Sequence, residues 1–526
     1  MHIRKFLIVL ILAVLVYSAN FWGTSIYILD EAKNASCAME MYQRGDLTVP
    51  TFNGELRTDK PPLHYYFMIM AYRVLGINPF SARLFSVIAG VLTVIVVFAY
   101  TRKFIGESIA FFSALAMIAS LQLSIQFHLA VPDPYLILLM TLSFFLFYDG
   151  FQFGNKTGML LFYAVVGLAF LTKGLIAIVL PGLVILLYLL WQKELRLKTF
   201  RQLRLAEGIV LFVLIAVPWY AAVGIATEGA WLEGFFLKHN VSRFTSTMEG
   251  HRGFPLAPFA IVIGGLLPFS VFIIQSVVFA WKKRMHQPFL LYCLLTGLVI
   301  AGFFCFSRTI LPSYPAPALP FFAIVIGCYL HNVFITSGNQ KRAIVASLAL
   351  YVVLMLIIPI AVYVALDQEA AMRSLKYLSV AFIVLPAGAL AALYFYLTAK
   401  QHHSLYSMAA SWMITGLFFF YWCYPQVDKQ NPVTQSLHHF SSGNRTIAYY
   451  GAFNPAYVFA FRGPFEKLST AENVADYFQR NPSGLLITYK KYVEELQQVT
   501  QMRIVFQQKD LFEKQETVIL SVISDR

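Results

Sequence analysis

One polar stretch near the start of the chain carries groups that could do chemistry. Asp30 and Glu31 stand at its beginning, and Arg57, Asp59, Lys60, Pro61 and Pro62 stand at its end. A carboxylate at a membrane face can act as general base and take a proton from an attacking group. An acidic side chain ahead of a helix can instead cap free backbone N–H groups. Both can hold at once, because one of the pair can cap while the other points inward. Lys60 precedes two prolines, which fix the backbone and remove two N–H donors. A lysine on so stiff a mount suits a phosphate contact. The rival reading of Arg57, Asp59 and Lys60 is snorkelling at an interface.

Further polar residues fall near the outer ends of apolar runs. Asp133 lies in Val-Pro-Asp-Pro and Lys173 in Phe-Leu-Thr-Lys-Gly. His239 and Arg243 lie within residues 235–244, and Arg308 and Tyr314 within 307–320. Ionisable residues at membrane depth are costly and rarely idle. So many on one side point to a shared polar cleft. Asp30, Glu31, Asp59 and His239 could gather around a divalent cation, although no ligand spacing demands one. The five cysteines show no paired spacing, so neither a disulfide framework nor a thiolate zinc site is indicated. Four Asn-x-Ser/Thr triplets, at Asn34, Asn155, Asn240 and Asn444, are too short a pattern to carry weight.

The elements that must position these groups are membrane spans. Of 526 residues, 59% are hydrophobic and only 13% charged, about half the charge of a soluble domain. The net charge of +14 suits basic cytoplasmic loops or anionic lipid headgroups better than nucleic acid. A basic start and a long apolar run read as an uncleaved first span, with the N-terminus in the cytoplasm. Apolar runs recur near 81–100, 108–127, 134–152, 158–172, 174–191, 207–225, 255–281, 288–306, 315–333, 343–366, 377–397 and 405–424. With the first they make about thirteen spans, each roughly long enough for ~30 Å of hydrocarbon. Alternate loops are basic, at 101–103, 192–204, 281–284 and 340–342, as the positive-inside rule requires.

The first external loop, 23–80, holds the candidate site. Residues 31–44 read as an amphipathic helix through Ala32, Ala35, Met39 and Tyr42. Residues 46–60 read as turns, and 64–75 as an interfacial helix after two prolines. Residues 1–424 form the transmembrane part. Residues 425–526 read as an α/β domain, with strands at 446–451, 485–490, 503–508 and 516–523 and helices at 471–480 and 491–500. An odd span count puts it on the outer side with the first loop.

Read in order, these motifs carry a resemblance. Leu-Asp-Glu-Ala at 29–32, Gly-Asp at 45–46, Val-Pro at 49–50 and Asn-Gly-Glu at 53–55 come first. Lys-Pro-Pro-Leu-His-Tyr-Tyr at 60–66 and Ala-Arg-Leu at 82–84 follow. Leu-Thr-Lys-Gly at 171–174, Pro-Trp-Tyr at 218–220, His-Asn-Val-Ser-Arg-Phe at 239–244 and the Leu-Pro-Ser-Tyr-Pro run from 311 complete the series. The series closely resembles the ArnT-like and protein O-mannosyltransferase superfamily. The match is strongest with its bacterial branch, which includes the aminoarabinose transferase of lipid A. The resemblance implies a polytopic α-helical protein of the C-type glycosyltransferase fold, working at the outer face of the cytoplasmic membrane. It implies inverting transfer of a sugar from a polyprenyl-phosphate carrier of the undecaprenyl type to lipid A, another glycolipid, a glycan or a protein.

The resemblance places the catalytic aspartate at Asp30, the phosphate-binding lysine at Lys60, the loop arginine at Arg243 and the tyrosine after Leu-Pro at Tyr314. Lys33 stands where relatives often have Arg, Asp59 where they have Glu, Arg57 where a tyrosine is common, and Ile310 where many have Lys. No cofactor is required by this scheme. The rival classes are a flippase or transporter of lipid-linked glycans and a polysaccharide ligase. The sequence shows neither the internal repeats nor the matched broken helices common in transporters.

Overall fold

The computed structural model describes residues 2–242, 254–335, 340–440 and 446–522. Each expected span is helical over most of its length, because in hydrocarbon only a helix satisfies all its own backbone groups. Among the described residues seven helices are long and apolar enough to cross a membrane, or nine if two bent pairs each count as one span. The apolar helices Ile176–Gln192 and Pro288–Phe304 are shorter.

Helix α1 (His2–Tyr17) packs into the bundle. Val9, Ala13 and Tyr17 are buried in it, and the Tyr17 hydroxyl donates to Met117 O at 2.9 Å. Lys5 Nζ reaches Ser108 Oγ at 3.2 Å, which sets the start of the chain beside the 101–107 turn. Helix α2 spans Leu29–Arg44, two residues longer at its start than expected. A two-residue hairpin follows, β1 (Thr51–Phe52) and β2 (Glu55–Leu56), in a stretch where the sequence showed only turns. Helix α3 (Leu63–Leu75) and the 26-residue α4 (Pro79–Phe104) complete the region. Helix α4 carries Arg83 near its N-terminal end. It carries Lys103, bonded to Asp149 at 2.5 Å, roughly 30 Å further along.

Two spans are broken, against the expectation of unbroken helices. Glu107–Ile118 and Leu121–Phe127 bend by 67°, and Ala257–Gly265 and Phe269–Lys283 by 118°. Ser120 explains the first break. Its hydroxyl accepts the Leu123 N–H as a helix cap and donates to Gly265 O at 2.7 Å. One hydroxyl therefore serves both breaks. Gln122, one turn on, donates to Pro312 O. The breaks thus tie to the loop that carries Tyr314.

The C-terminal region holds a five-stranded sheet, ordered β4-β3-β5-β7-β6. Its strands are β3 (Ile447–Tyr450), β4 (Glu466–Leu468), β5 (Leu485–Tyr489), β6 (Met502–Lys509) and β7 (Glu516–Val522). Strand β3 runs parallel to β4 and β5, whereas β7 is antiparallel to β5 and β6. Period-two alternation gives the sheet two apolar faces. Ala448, Leu486, Val518 and Leu520 pack on the helix Ala471–Arg480 through Val474, Tyr477 and Phe478. Tyr449, Leu485, Ile487 and Ile519 share a core with Ala35, Ala38, Met39 and Met41 of α2. The sheet is thus built onto the helix that starts with Asp30. Strand β4, the helix Ala456–Phe461 and the helix Pro432–Phe440 were not expected from sequence.

Asp510 sits at this junction, 1% exposed. It accepts from Asn454 Nδ2 at 2.9 Å and Thr517 Oγ1 at 2.5 Å. Tyr27 closes the junction with a hydroxyl that accepts from Leu511 N at 2.8 Å. Burial pushes the Asp510 carboxyl up to about 6. The folded state therefore holds this proton at pH values where the unfolded chain has released it, so the stabilisation is present below about pH 4 and lost as pH rises through 6. Thermal unfolding of the detergent-solubilised protein at pH 5 and pH 7 is expected to show a loss of roughly 1 kcal/mol at the higher pH, and Asp510→Asn is expected to flatten that dependence.

Candidate active site

The site is assembled at one end of the bundle by a buried ion pair. Arg83 is 2% exposed and Glu31 is 0% exposed. Arg83 Nε donates to Glu31 Oε1 at 2.7 Å, and Nη2 to Oε2 at 2.8 Å. The remaining donors serve Phe21 O, Thr24 O, Thr24 Oγ1 and Ser25 O at 2.8–3.0 Å. Glu31 Oε1 also accepts from Ala130 N at 2.8 Å. One pair therefore gathers the 21–25 loop, α2, α4 and the segment leading to Asp133.

Asp30 and Glu31 separate because successive helical residues point about 100° apart. The cap position of α2 is Ile28, so neither carboxylate caps, and both lie in the first turn. There the helix dipole favours negative charge. Asp30 is exposed, and its carboxylate makes no bond among the described residues. Glu31 has both oxygens occupied. Of the two candidate bases, only Asp30 has a carboxylate open to solvent.

Behind Asp30 lies a buried polar network. Asn34 Nδ2 donates to Asp30 O at 2.8 Å. Asn34 Oδ1 meets Arg57 Nη2 at 3.3 Å, His64 Nε2 at 3.2 Å and the Tyr65 hydroxyl at 3.3 Å. Arg57 is 5% exposed and pairs with Asp59 at 3.4 Å. Burial, with the Arg57 and Lys60 cations nearby, holds the His64 imidazole well below its usual range, so it is neutral at pH 7. Lys33 and Lys60 are half-buried around this network.

A second cluster stands across the cleft. Lys173 Nζ bonds Asp133 Oδ1 at 2.5 Å and lies 5.3 Å from the centre of the Tyr314 ring. Aromatic side chains join the clusters. Trp231 Nε1 donates to Arg57 O at 2.8 Å and its ring stacks on Phe235. Phe235 lies so close to Gly174 that any Cβ there would clash with it. Arg308 is exposed, on the loop leading to Tyr314. Arg243 and the side chain of His239 lie outside the described residues. Among the described residues no group of three or more His, Cys, Asp or Glu could hold a metal ion. Of the four residues named for a cation, Glu31 is spent on Arg83.

An apolar cavity of about 220 Å³ opens at the second break, lined by Phe259, Val262, Ile263, Ile273, Val277 and Phe322. Gly265, which Ser120 holds, ends one wall of it.

Sequence reasoning missed Arg83, Asn34, His64 and Trp231. The first two left a signal. Arg83 is a lone arginine at the head of an apolar run, and Glu31 and Asn34 share one helical face with Ala38 and Met41. Polar groups on a buried face need partners.

A family model described as dolichyl-phosphate-mannose-protein mannosyltransferase matches residues 59–221. An uncharacterised protein of Aquifex aeolicus (strain VF5) is 30% identical over 317 residues, covering 60% of this chain and 70% of the relative. The crystal structure of ArnT from Cupriavidus metallidurans bound to undecaprenyl phosphate matches with a TM-score of 0.82 at 21% identity, covering 98% of both chains. The chain belongs to the ArnT-like and protein mannosyltransferase superfamily. It is a multi-pass membrane protein of the C-type glycosyltransferase fold. The undecaprenyl phosphate-alpha-4-amino-4-deoxy-L-arabinose arabinosyl transferase of Pseudomonas aeruginosa (strain UCBPP-PA14) is 29% identical over 321 residues. The match covers 60% of this chain and 57% of that superfamily member.

The geometry separates the two carboxylates experimentally. Glu31→Gln leaves Arg83 buried without its counter-charge and is expected to cost about 3 kcal/mol of stability. Asp30→Asn changes an exposed side chain and is expected to leave the melting temperature within about 1 °C of wild type. Thermal unfolding of both variants in detergent checks the contrast.

Proposed function

We propose that this protein is an inverting glycosyltransferase. It moves a sugar from a polyprenyl-phosphate donor, of the undecaprenyl-phosphate type, to an acceptor at the outer face of the cytoplasmic membrane. The observation that carries this reading is the exposed Asp30 carboxylate, within electrostatic reach of Arg57 while its neighbour Glu31 is locked away. The relatives named as undecaprenyl phosphate-dependent arabinosyl transferases support the donor class. So does the structural neighbour bound to undecaprenyl phosphate.

In this scheme the acceptor nucleophile attacks the anomeric carbon from the face opposite the phosphate. The bond from that carbon to the phosphate oxygen breaks, and its electron pair leaves on polyprenyl phosphate. Asp30 takes the proton of the nucleophile, or orients a nucleophile that is already an anion. Lys60 and Arg243, with Tyr314 and Lys33, stabilise the charge on the departing phosphate. Preorganised charge of this kind is worth roughly 3 kcal/mol per donor. Arg57, Asp59, Asp133, Lys173 and Arg308 shape the sugar and acceptor sites. The apolar cavity at the second helix break offers the donor tail a place out of water. The acceptor is lipid A, another glycolipid, a glycan or a protein hydroxyl. The C-terminal region lies on the extracytoplasmic side with Asp30, and the N-terminus is cytoplasmic.

The two mutually bonded helix breaks favour one second reading, transport of the lipid-linked sugar across the bilayer. Reconstituted membranes separate the readings. Supplied with polyprenyl-phosphate sugars, wild type is expected to release free polyprenyl phosphate, and Asp30→Asn to lose roughly 10²–10⁴-fold in rate. Flipping of intact donor, equal in wild type and Asp30→Asn, would replace transferase with flippase. The scheme runs on protein charge alone, so transfer is expected to persist after exhaustive chelation. Loss on chelation, restored by a divalent cation, would bring a metal into the mechanism.

A further inference from the structure

We infer that the C-terminal domain positions the donor-phosphate loop, and that Asn53 is the positioning residue. The inference rests on Lys60 as a ligand of the donor phosphate. The β1–β2 hairpin turns at Asn53 and Gly54, with φ of +55° and +78°, the conformation for which Asn-Gly is the favoured pair. Such a turn needs nothing from the Asn53 side chain, which is nevertheless buried and faces the C-terminal domain. There it accepts from Phe465 N at 2.7 Å and donates to Phe465 O at 3.2 Å. Phe465 directly precedes β4, so Asn53 acts as a rung that adds the hairpin tip to the C-terminal domain.

The hairpin is held from the other side by α2. Glu40, 5% exposed, accepts from Thr51 Oγ1 at 2.6 Å, Asn53 N at 2.6 Å and Gly54 N at 3.2 Å. The base of the hairpin closes where Arg57 N donates to Pro50 O at 3.0 Å. Arg57 then reaches Asn34 and Asp59, and Lys60 follows before the two prolines. The loop 57–60 therefore hangs from two anchors. One is the helix that carries Asp30. The other is a domain that is separate from the bundle carrying Lys173 and Tyr314. Two neutral hydrogen bonds buried at an interface give one defined register, and losing them leaves the loop free to shift.

Asn53→Gly keeps the positive φ and deletes both bonds, so the turn itself is preserved. Lys467→Ala is the control, because its ion pair with Glu55 at 2.6 Å is exposed and worth little. Both are measured as full-length protein in nanodiscs with a polyprenyl-phosphate sugar donor. Asn53→Gly is expected to raise the donor KM about tenfold while kcat stays within about twofold, since one to two bonds' worth of positioning is lost. Amide exchange across 55–60 is expected to quicken, with exchange in α2 unchanged. Lys467→Ala is expected to match wild type in both. An unchanged KM and unchanged exchange across 55–60, with only an earlier melt of the C-terminal domain, would overturn the inference. Wild type that transfers from no donor would count against the proposed function instead. The exchange readout, which needs no substrate, then decides this inference alone.

Discussion

The Glu31–Arg83 pair is the interaction on which the rest of this site depends. Two buried charges lose the hydration of both ions, and their mutual attraction offsets that loss only when the remaining hydrogen-bonding capacity is filled. Here it is filled. The guanidinium serves both carboxylate oxygens and the carbonyls of Phe21, Thr24 and Ser25, and Ala130 N completes the shell of Glu31. Ser25 then passes the connection on, through its N–H and hydroxyl, to Asp428 beyond the last apolar helix. A pair this demanding allows one arrangement of the segments that meet at it, and that arrangement leaves Asp30 facing the cleft.

The second constraint is that the cleft has no wall of its own. Helix α2 lies between the membrane bundle and the C-terminal sheet, and its buried face is shared with that sheet through Ala35, Ala38, Met39 and Met41. The chain thus uses one short amphipathic helix three times, to present Asp30, to dock Glu31 and Asn34 inward, and to seat a second domain. The hairpin that leads to Lys60 is gripped by the same helix and by the same domain. Opposed to them, Lys173, Asp133 and Tyr314 belong to the bundle.

The broken spans have a similar logic. A helix interrupted in hydrocarbon must satisfy its freed backbone groups with protein. The Ser120 hydroxyl does this for both, accepting from Leu123 N at the first break and donating to Gly265 O at the second. The apolar cavity opens at the second of these breaks, and the Tyr314 loop sits on the first.

Much of this was legible in order of residues. Composition dictated a membrane bundle, since 13% charge cannot coat a soluble protein of this length. The prolines after Lys60, the amphipathic spacing of α2 and the alternating strands of the C-terminal region are local patterns, and local patterns survive in sequence. The choice between Asp30 and Glu31 was not local. It depends on Arg83, which lies 52 positions away from Glu31, and no spacing rule links them. The helix breaks were hidden for the same reason, because Ser120 and Gly265 are 145 positions apart and neither residue alone forbids a helix. So too was the hairpin at Asn53, whose two-residue strands are too short to show a period and gain their order from Glu40 and Phe465. Local pattern showed most of the long helices and strands, and where ionisable groups sit along them. Only the tertiary structure decided which of those groups are spent on holding the fold and which are left for a ligand, because burial and partnership are properties of contacts between distant segments.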